Sequence, residues 1–194
     1  AHAAIEKGCD VLLMDDGFQA VALARDENIL LIDATNPFGN GYLVPRGILR
    51  ETLHAMKRAT EIILTRCDQA PENLEDIHQT LQQYAPEIPI RQTQHKPLSL
   101  LRVCDGSEVP LSLLQDTSIR VICGIGNPDA FMHTLEKLGT DIVESHSLPD
   151  HGSIPHELLH ASIPVVMTEK DAIRISSSCS SEVYALTIAL ESYG

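Results

Sequence analysis

The run Val11-Leu12-Leu13-Met14-Asp15-Asp16-Gly17-Phe18-Gln19 holds the residues most able to do chemistry. Its four apolar residues predict a buried strand from Val11 to Met14, with Asp15 and Asp16 emerging at the C-terminal end. In open α/β sheets that end is where ligands bind. Adjacent carboxylates repel, more strongly where the dielectric is low. A divalent cation relieves the repulsion, and hard oxygen donors suit Mg²⁺. A P-loop enzyme presents its Walker B carboxylate on such a strand. Asp-Asp-Gly is also a turn opening in its own right, and the pattern alone leaves both readings open.

A second polar segment, Asn36-Pro37-Phe38-Gly39-Asn40-Gly41-Tyr42-Leu43-Val44-Pro45-Arg46-Gly47, follows a strand ending near Asp33. Long glycine-rich loops at strand ends are often binding loops. The loop leads into a predicted helix, Leu49 to Arg58, that would set Arg46 and Arg50 one turn apart. Guanidinium groups make bidentate contacts to phosphate. The plainer alternative is a surface ion pair with Glu51 or Glu61, worth little.

Two further patterns imitate known sites. His156-Glu157-Leu158-Leu159-His160 fits H-E-x-x-H, in which two imidazoles at i and i+4 hold zinc and the glutamate acts as base. Pro155 puts it in a helix's first turn, no third ligand is evident beyond Glu169, and His146 and His151 add to a locally histidine-rich stretch. A solvated or capping helix face is the reading this favours over a zinc hydrolase. Gly124-Ile125-Gly126 follows a strand and opens a helix, with Glu144 twenty positions after Gly124, as in a dinucleotide fingerprint. The third glycine position is Asp129, whose charge would repel a pyrophosphate, so a tight strand-to-helix turn is expected.

The elements that must position these groups follow from hydropathy. Short apolar runs predict strands at Val11–Met14, Ile29–Ile32, Ile62–Thr65, Ile119–Cys123, Ile142–Val143, Val165–Thr168 and Val183–Leu190. Amphipathic stretches predict helices near Ala1–Lys7, Leu49–Arg58, Pro71–Tyr84, Pro128–Leu138 and Pro155–Ala161. Pro71, Pro128 and Pro155 suit first helical turns, and Gly8 and Gly139 suit helix ends. Continuous apolar strands separated by helices indicate a parallel sheet covered on both faces. Between Pro86 and Thr117 four prolines interrupt the rhythm. The runs Ile90–His95 and Leu98–Cys104 there predict an extended connector, a two-stranded ribbon between two α/β units. Residues 1–88, 89–117 and 118–194 are the expected divisions.

Bulk composition sets limits. The 194 residues are 43% hydrophobic and 21% charged, and the mean hydropathy is −0.02, as in soluble globular chains. Such a chain buries roughly 70% of its unfolded surface. No apolar run reaches membrane-spanning length. A formal charge of −13 argues against nucleic acid as a partner. Five scattered cysteines without C-x-x-C suggest reduced thiols, not a disulfide framework or zinc site. The opening Ala1-His2-Ala3 carries no signal-peptide pattern and suggests a chain that begins inside a longer protein.

Taken together, the motifs resemble the tetraacyldisaccharide 4′-kinases (lipid A 4′-kinases). The resemblance rests on Asp-Asp-Gly-Phe-Gln at 15–19, Pro-x-Gly-x-Leu-Arg-Glu at 45–51 and Gly-Ile-Gly-Asn-Pro at 124–128 followed by Phe131. It continues with Asp150-His151 and Met167-Thr168-Glu169-Lys170-Asp171. These blocks occur in the family's order over almost the whole chain. The resemblance implies ATP-dependent phosphorylation of the 4′-hydroxyl of a lipid A disaccharide precursor, with Mg²⁺, at the cytoplasmic face of the inner membrane. The fold it implies is the C-terminal part of a P-loop NTPase-like α/β domain followed by a smaller α/β domain. Asp15 and Asp16 are then the Walker B and magnesium carboxylates, Asp16 acts in catalysis, and Glu51 is a further metal-proximal acid. His151 supports the catalytic base, while Gln19, Arg46 and Arg50 lie near nucleotide or substrate phosphate. The family's P-loop, catalytic aspartate and membrane-associating helix precede the matched region, and no G-x-x-x-x-G-K-[ST] occurs in this chain. The sequence departs from the family pattern at Ala20, commonly His, and at Leu148 and Ile154, where aromatic residues are usual; these bear on substrate positioning. A non-catalytic nucleotide-binding α/β module is the reading from another class.

Overall fold

A computed structural model describes all residues except Ala1, Asp150, His151, Ala161 and 176–178. The chain forms two compact units, residues 1–65 with 71–92 and residues 66–70 with 93–194.

The first unit contains α1 (His2–Ile5), β1 (Ile29–Asp33), β2 (Glu61–Thr65), α2 (Leu74–Tyr84) and the start of β3 (Ile90–Arg102). β1 and β2 run parallel from Ile29 opposite Glu61 to Asp33 opposite Thr65. β2 continues the parallel pairing with Ile90 to Gln92 of β3. The β2–α2–β3 crossover follows from sequence. Ile77 and Leu81, one turn apart, are the buried residues of α2. They join a core that includes Ile62, Leu64, Met56 and Ala85.

The second unit adds β4 (Glu108–Val109), β5 (Ser118–Cys123), α3 (Pro128–Lys137), β6 (Asp141–Ser147), β7 (Val165–Thr168), α4 (Glu169–Ala172) and β8 (Val183–Ser192). From Thr93 onward β3 pairs antiparallel with β8. The order continues β8-β7-β5-β6, and β4 lies on the other side of β3. Those later pairings are parallel. Alternation along β5 fills both faces of this sheet. Ile119, Val121 and Cys123 pack with Phe131 and Leu135 of α3. Ile122 turns the other way, toward Leu159, Val165 and Met167. Asn127 caps α3 by accepting a hydrogen bond from the Ala130 amide at 3.1 Å, and Pro128 occupies the first turn, where its missing N–H costs nothing.

Several sequence expectations are corrected. Val11–Met14 is not a buried strand: it has no strand partner, and Leu13 is 95% and Val11 74% exposed. A strand needs an adjacent ladder, and β1 pairs only with β2 among the described residues. The first helix is only His2–Ile5. The helix expected over Leu49–Arg58 is a 3₁₀ helix restricted to Leu53–Arg58, because Thr52 is extended (ψ 156°); Arg46 and Arg50 therefore do not share a helical turn. The stretch Pro155–Ala161 contains a 3₁₀ helix at His156–Leu159. Ile90–His95 and Leu98–Cys104 do not make a two-stranded ribbon. They lie largely in the single strand β3, whose register shifts between Pro97 and Ser99, an irregularity that accommodates a residue without an N–H donor. The sheet is consequently mixed and not wholly parallel. Among the described residues no helix is long and apolar enough to cross a membrane.

One buried carboxylate ties the second unit's loops together. Asp171 is completely buried. Its Oδ2 accepts from the Gly124 amide at 3.0 Å and the Thr168 hydroxyl at 2.7 Å, and its Oδ1 accepts from Arg174 Nη1 at 3.0 Å. A side chain on residue 124 would meet Asp171 Oδ1 at 3.0 Å and Arg174 Nη1 at 3.2 Å and so press directly on the buried pair. The dinucleotide-like Gly-x-Gly is thereby a packed strand-to-helix turn, as its aspartate suggested. Removing one partner of a buried charge pair strands the other group. Asp171→Ala is expected to destabilise the protein by about 3 kcal/mol, measured by urea unfolding; a loss under about 1 kcal/mol, the level of an exposed pair, contradicts this role.

Candidate active site

The polar loops of the first unit meet around two ion pairs. Asp15 and Asp16 lie in a tight turn after the exposed apolar run, with Asp16 in the left-handed region (φ 51°), a conformation tolerated by aspartate. Arg50 donates from Nη1 to both Asp16 carboxylate oxygens, at 2.8 and 2.6 Å, and to Gln19 Oε1 at 3.4 Å. The structure therefore brings Arg50 to Asp16 and Gln19, which lie 34 and 31 positions before it in the chain. Their neighbour Glu51 accepts from Arg58 Nη2 at 2.5 Å. Arg58 stands 4.8 Å from the centre of the Phe18 ring and donates to the Phe18 carbonyl at 3.4 Å.

Arg46 does not join this group. Its guanidinium stacks on Tyr42, 3.6 Å from the ring centre. Asp15 is exposed and makes no ion pair among the described residues. His151 lies outside the described residues.

Two participants were missed by the sequence reading. Arg58 links Glu51 to Phe18, and the only available signal was its i, i+7 spacing from Glu51. Arg25 holds the turn itself, donating to the carbonyls of Gly17 at 2.6 Å and Ala20 at 2.5 Å and to Asn28 Oδ1 at 3.1 Å. Asn28 in turn receives the Thr60 amide at its carbonyl, 2.9 Å away, and donates to the Arg58 carbonyl at 2.8 Å. No motif announced this chain of contacts, because carbonyl acceptors leave no mark on composition.

Charge and exposure decide what the arrangement can do. The Arg50–Asp16 pair is 58% and 66% exposed, where an ion pair contributes about 0–1 kcal/mol. Either partner is therefore cheaply exchanged for a phosphate or a cation. The loops border an open cleft of about 1350 Å³ in the first unit, lined by Asp15, Asp16, Gln19, Arg50 and Glu51 together with β1. Among the described residues no three metal-ligating side chains gather around one point. Mg²⁺ needs fewer: it keeps waters and takes one or two carboxylates plus phosphate oxygens. The adjacent Asp15 and Asp16 fit that demand. Glu51 stands next to Arg50 in the sequence and is engaged by Arg58.

The chain is similar to known proteins along nearly its whole length. The pattern of the LpxK family, tetraacyldisaccharide-1-P 4′-kinase, matches residues 1–192. A tetraacyldisaccharide 4′-kinase of Anaeromyxobacter sp. (strain K) is 36% identical over 189 residues, covering 92% of this chain and 50% of that protein. One from Elusimicrobium minutum (strain Pei191) is 37% identical, over 95% of this chain and 52% of its own length. A crystal structure of "apo" form LpxK from Aquifex aeolicus in complex with ATP superposes with a TM-score of 0.66 at 28% identity, covering 99% of this chain and 56% of that one. The chain thus spans about half the length of the curated relatives it matches. With the family pattern matching residues 1–192 and relatives 36–37% identical over more than nine-tenths of its length, the chain belongs to the tetraacyldisaccharide-1-P 4′-kinase family.

Proposed function

We propose that this chain carries the Walker B side and the second α/β domain of an ATP-dependent lipid kinase. The kinase phosphorylates the 4′-hydroxyl of a tetraacyldisaccharide 1-phosphate at the cytoplasmic face of the inner membrane. The observation that carries the reading is the Asp16–Arg50–Gln19 contact beside the Glu51–Arg58 pair: separate motifs of one family meeting in space, through an exposed and exchangeable Arg50–Asp16 ion pair.

In this reading Asp15 and Asp16 hold Mg²⁺, and Arg50 passes from Asp16 to a phosphate oxygen. Bound there, the ion neutralises charge on the transferring phosphoryl group. Arg58 keeps Glu51 and Phe18 in place, and Arg25 fixes the turn that presents the carboxylates. Gln19 and Arg46 lie toward nucleotide or substrate, and His151 supports the base that takes the 4′-hydroxyl proton. Residues 1–88 form the kinase-domain part, 89–117 the connecting segment and 118–194 the second domain.

The β- and γ-phosphates in P-loop kinases are cradled chiefly by Walker A backbone amides and lysine, and this sequence contains no such motif. The chain by itself is expected to bind Mg-ATP no tighter than about millimolar, a binding free energy of about −4 kcal/mol, and to transfer no phosphate. Joined to a P-loop-bearing segment from a relative, it gains both. Calorimetry and phosphate transfer to a lipid disaccharide monophosphate measure this. Micromolar binding by the chain alone would show that its nucleotide site is complete, and binding without transfer in the joined protein would favour the non-catalytic module.

In the joined protein Asp16→Asn removes one charge from the metal site and is expected to slow turnover about 10²–10³-fold. It also raises the Mn²⁺ concentration needed for half-saturation, read by electron paramagnetic resonance. Turnover within twofold of the parent at saturating Mg²⁺ would reject the assignment. His151→Ala is expected to lower kcat about 10²–10⁴-fold with ATP affinity nearly unchanged; loss of ATP affinity alone rules out a role in proton transfer.

A further inference from the structure

The H-E-x-x-H stretch has a geometry that the kinase reading does not use. His156 opens the 3₁₀ helix His156–Leu159, and His160 follows its last residue. Both imidazoles are exposed. Their ring centres lie 4.3 Å apart, and the two Nε2 atoms face each other at 3.1 Å. Two nitrogens bound side by side to one ion at about 2.0–2.1 Å stand about 2.9–3.4 Å apart, for angles between square and tetrahedral. The observed separation falls inside that bite. With no metal, the same approach requires one ring to donate its Nε2 proton to the other; an ion replaces that shared proton with two coordinate bonds.

We propose that His156 and His160 form a two-histidine clip for a divalent transition metal of the imidazole-preferring class, Ni²⁺, Cu²⁺ or Zn²⁺. Among the described residues no third protein ligand joins them, so water fills the remaining positions. The clip is therefore distinct from a zinc-hydrolase centre, which requires three protein ligands and an activated water. Its structural consequence is local. The two ligands bracket Leu159, which is buried against Ile122, Val165 and Met167, and Leu158, whose carbonyl accepts from Arg120 at 3.2 Å. A metal across the two imidazoles pins both ends of the turn that seats Leu159.

Ni²⁺ is the discriminating probe, because the exposed thiols of Cys9 and Cys104 compete for softer ions. Calorimetric titration of the untagged, thiol-alkylated chain with NiCl₂ is expected to show one site. His156→Ala and His160→Ala should each weaken it at least about tenfold, and His133→Ala on α3 should leave it unchanged. Ni²⁺ should raise the melting temperature of the parent and of the His133 variant but not of the other two, since only a ligand bound to the folded state stabilises it. In the unmutated protein, paramagnetic Ni²⁺ should broaden the imidazole proton resonances of His156 and His160 before those of other histidines. Unaltered affinity in either clip variant, or preferential broadening elsewhere, would overturn the proposal.

Discussion

A parallel strand is stable only with a hydrogen-bonding neighbour along its edge and side chains covering its faces. That constraint organises this chain. In the second unit β5 satisfies it fully, lying between β6 and β7, with α3 packed on one face and the Leu159 turn on the other. In the first unit β2 satisfies it between β1 and β3. Val11–Met14 does not, and the consequence is visible in its exposure. Its hydropathy is that of an interior strand, and no ladder partner lies beside it among the described residues.

This separates what was legible in the sequence from what was not. Runs such as Ile62–Thr65, Ile119–Cys123 and Val165–Thr168 fold as strands because each is apolar, short and bounded by turn residues, all local properties. The bounds of α3 were equally local, since Pro128 and Gly139 act within one turn of their own positions, while the Asn127 cap emerges only from the structure. The union of Ile90–His95 with Leu98–Cys104 was not local. It depends on β8, about ninety residues away, whose Thr187 donates to the Ser99 carbonyl and accepts from the Ser99 amide beside the bulge at Pro97. A proline cluster read alone predicts interruption, whereas an irregular ladder absorbs it.

The candidate site divides the same way. Asp15, Asp16, Gln19, Arg50 and Glu51 were legible as residue types in family motifs, and contacts across more than thirty positions place Asp16, Gln19 and Arg50 together. Arg25 and Arg58 were not legible, since they act on backbone carbonyls and an aromatic face. The electrostatics also distinguish the two arginine pairs. The exposed Arg50–Asp16 pair is easily exchanged, while Arg58 adds an aromatic contact worth roughly 0.5–1 kcal/mol or more and is the firmer anchor.

The enclosure of Asp171 carries a consequence for ligand discrimination. A glycine turn opening a helix is the usual receptacle for a phosphate, whose oxygens lie against the backbone amide. Here the Gly124 amide already holds an oxygen, Oδ2 of Asp171, and Arg174 supplies the countercharge that a solute anion would otherwise seek. The protein furnishes its own surrogate anion at this position. An incoming phosphate could reach the Gly124 amide only by evicting a fully buried carboxylate, so at this one donor the sequence wears part of a nucleotide signature whose place is already filled from within.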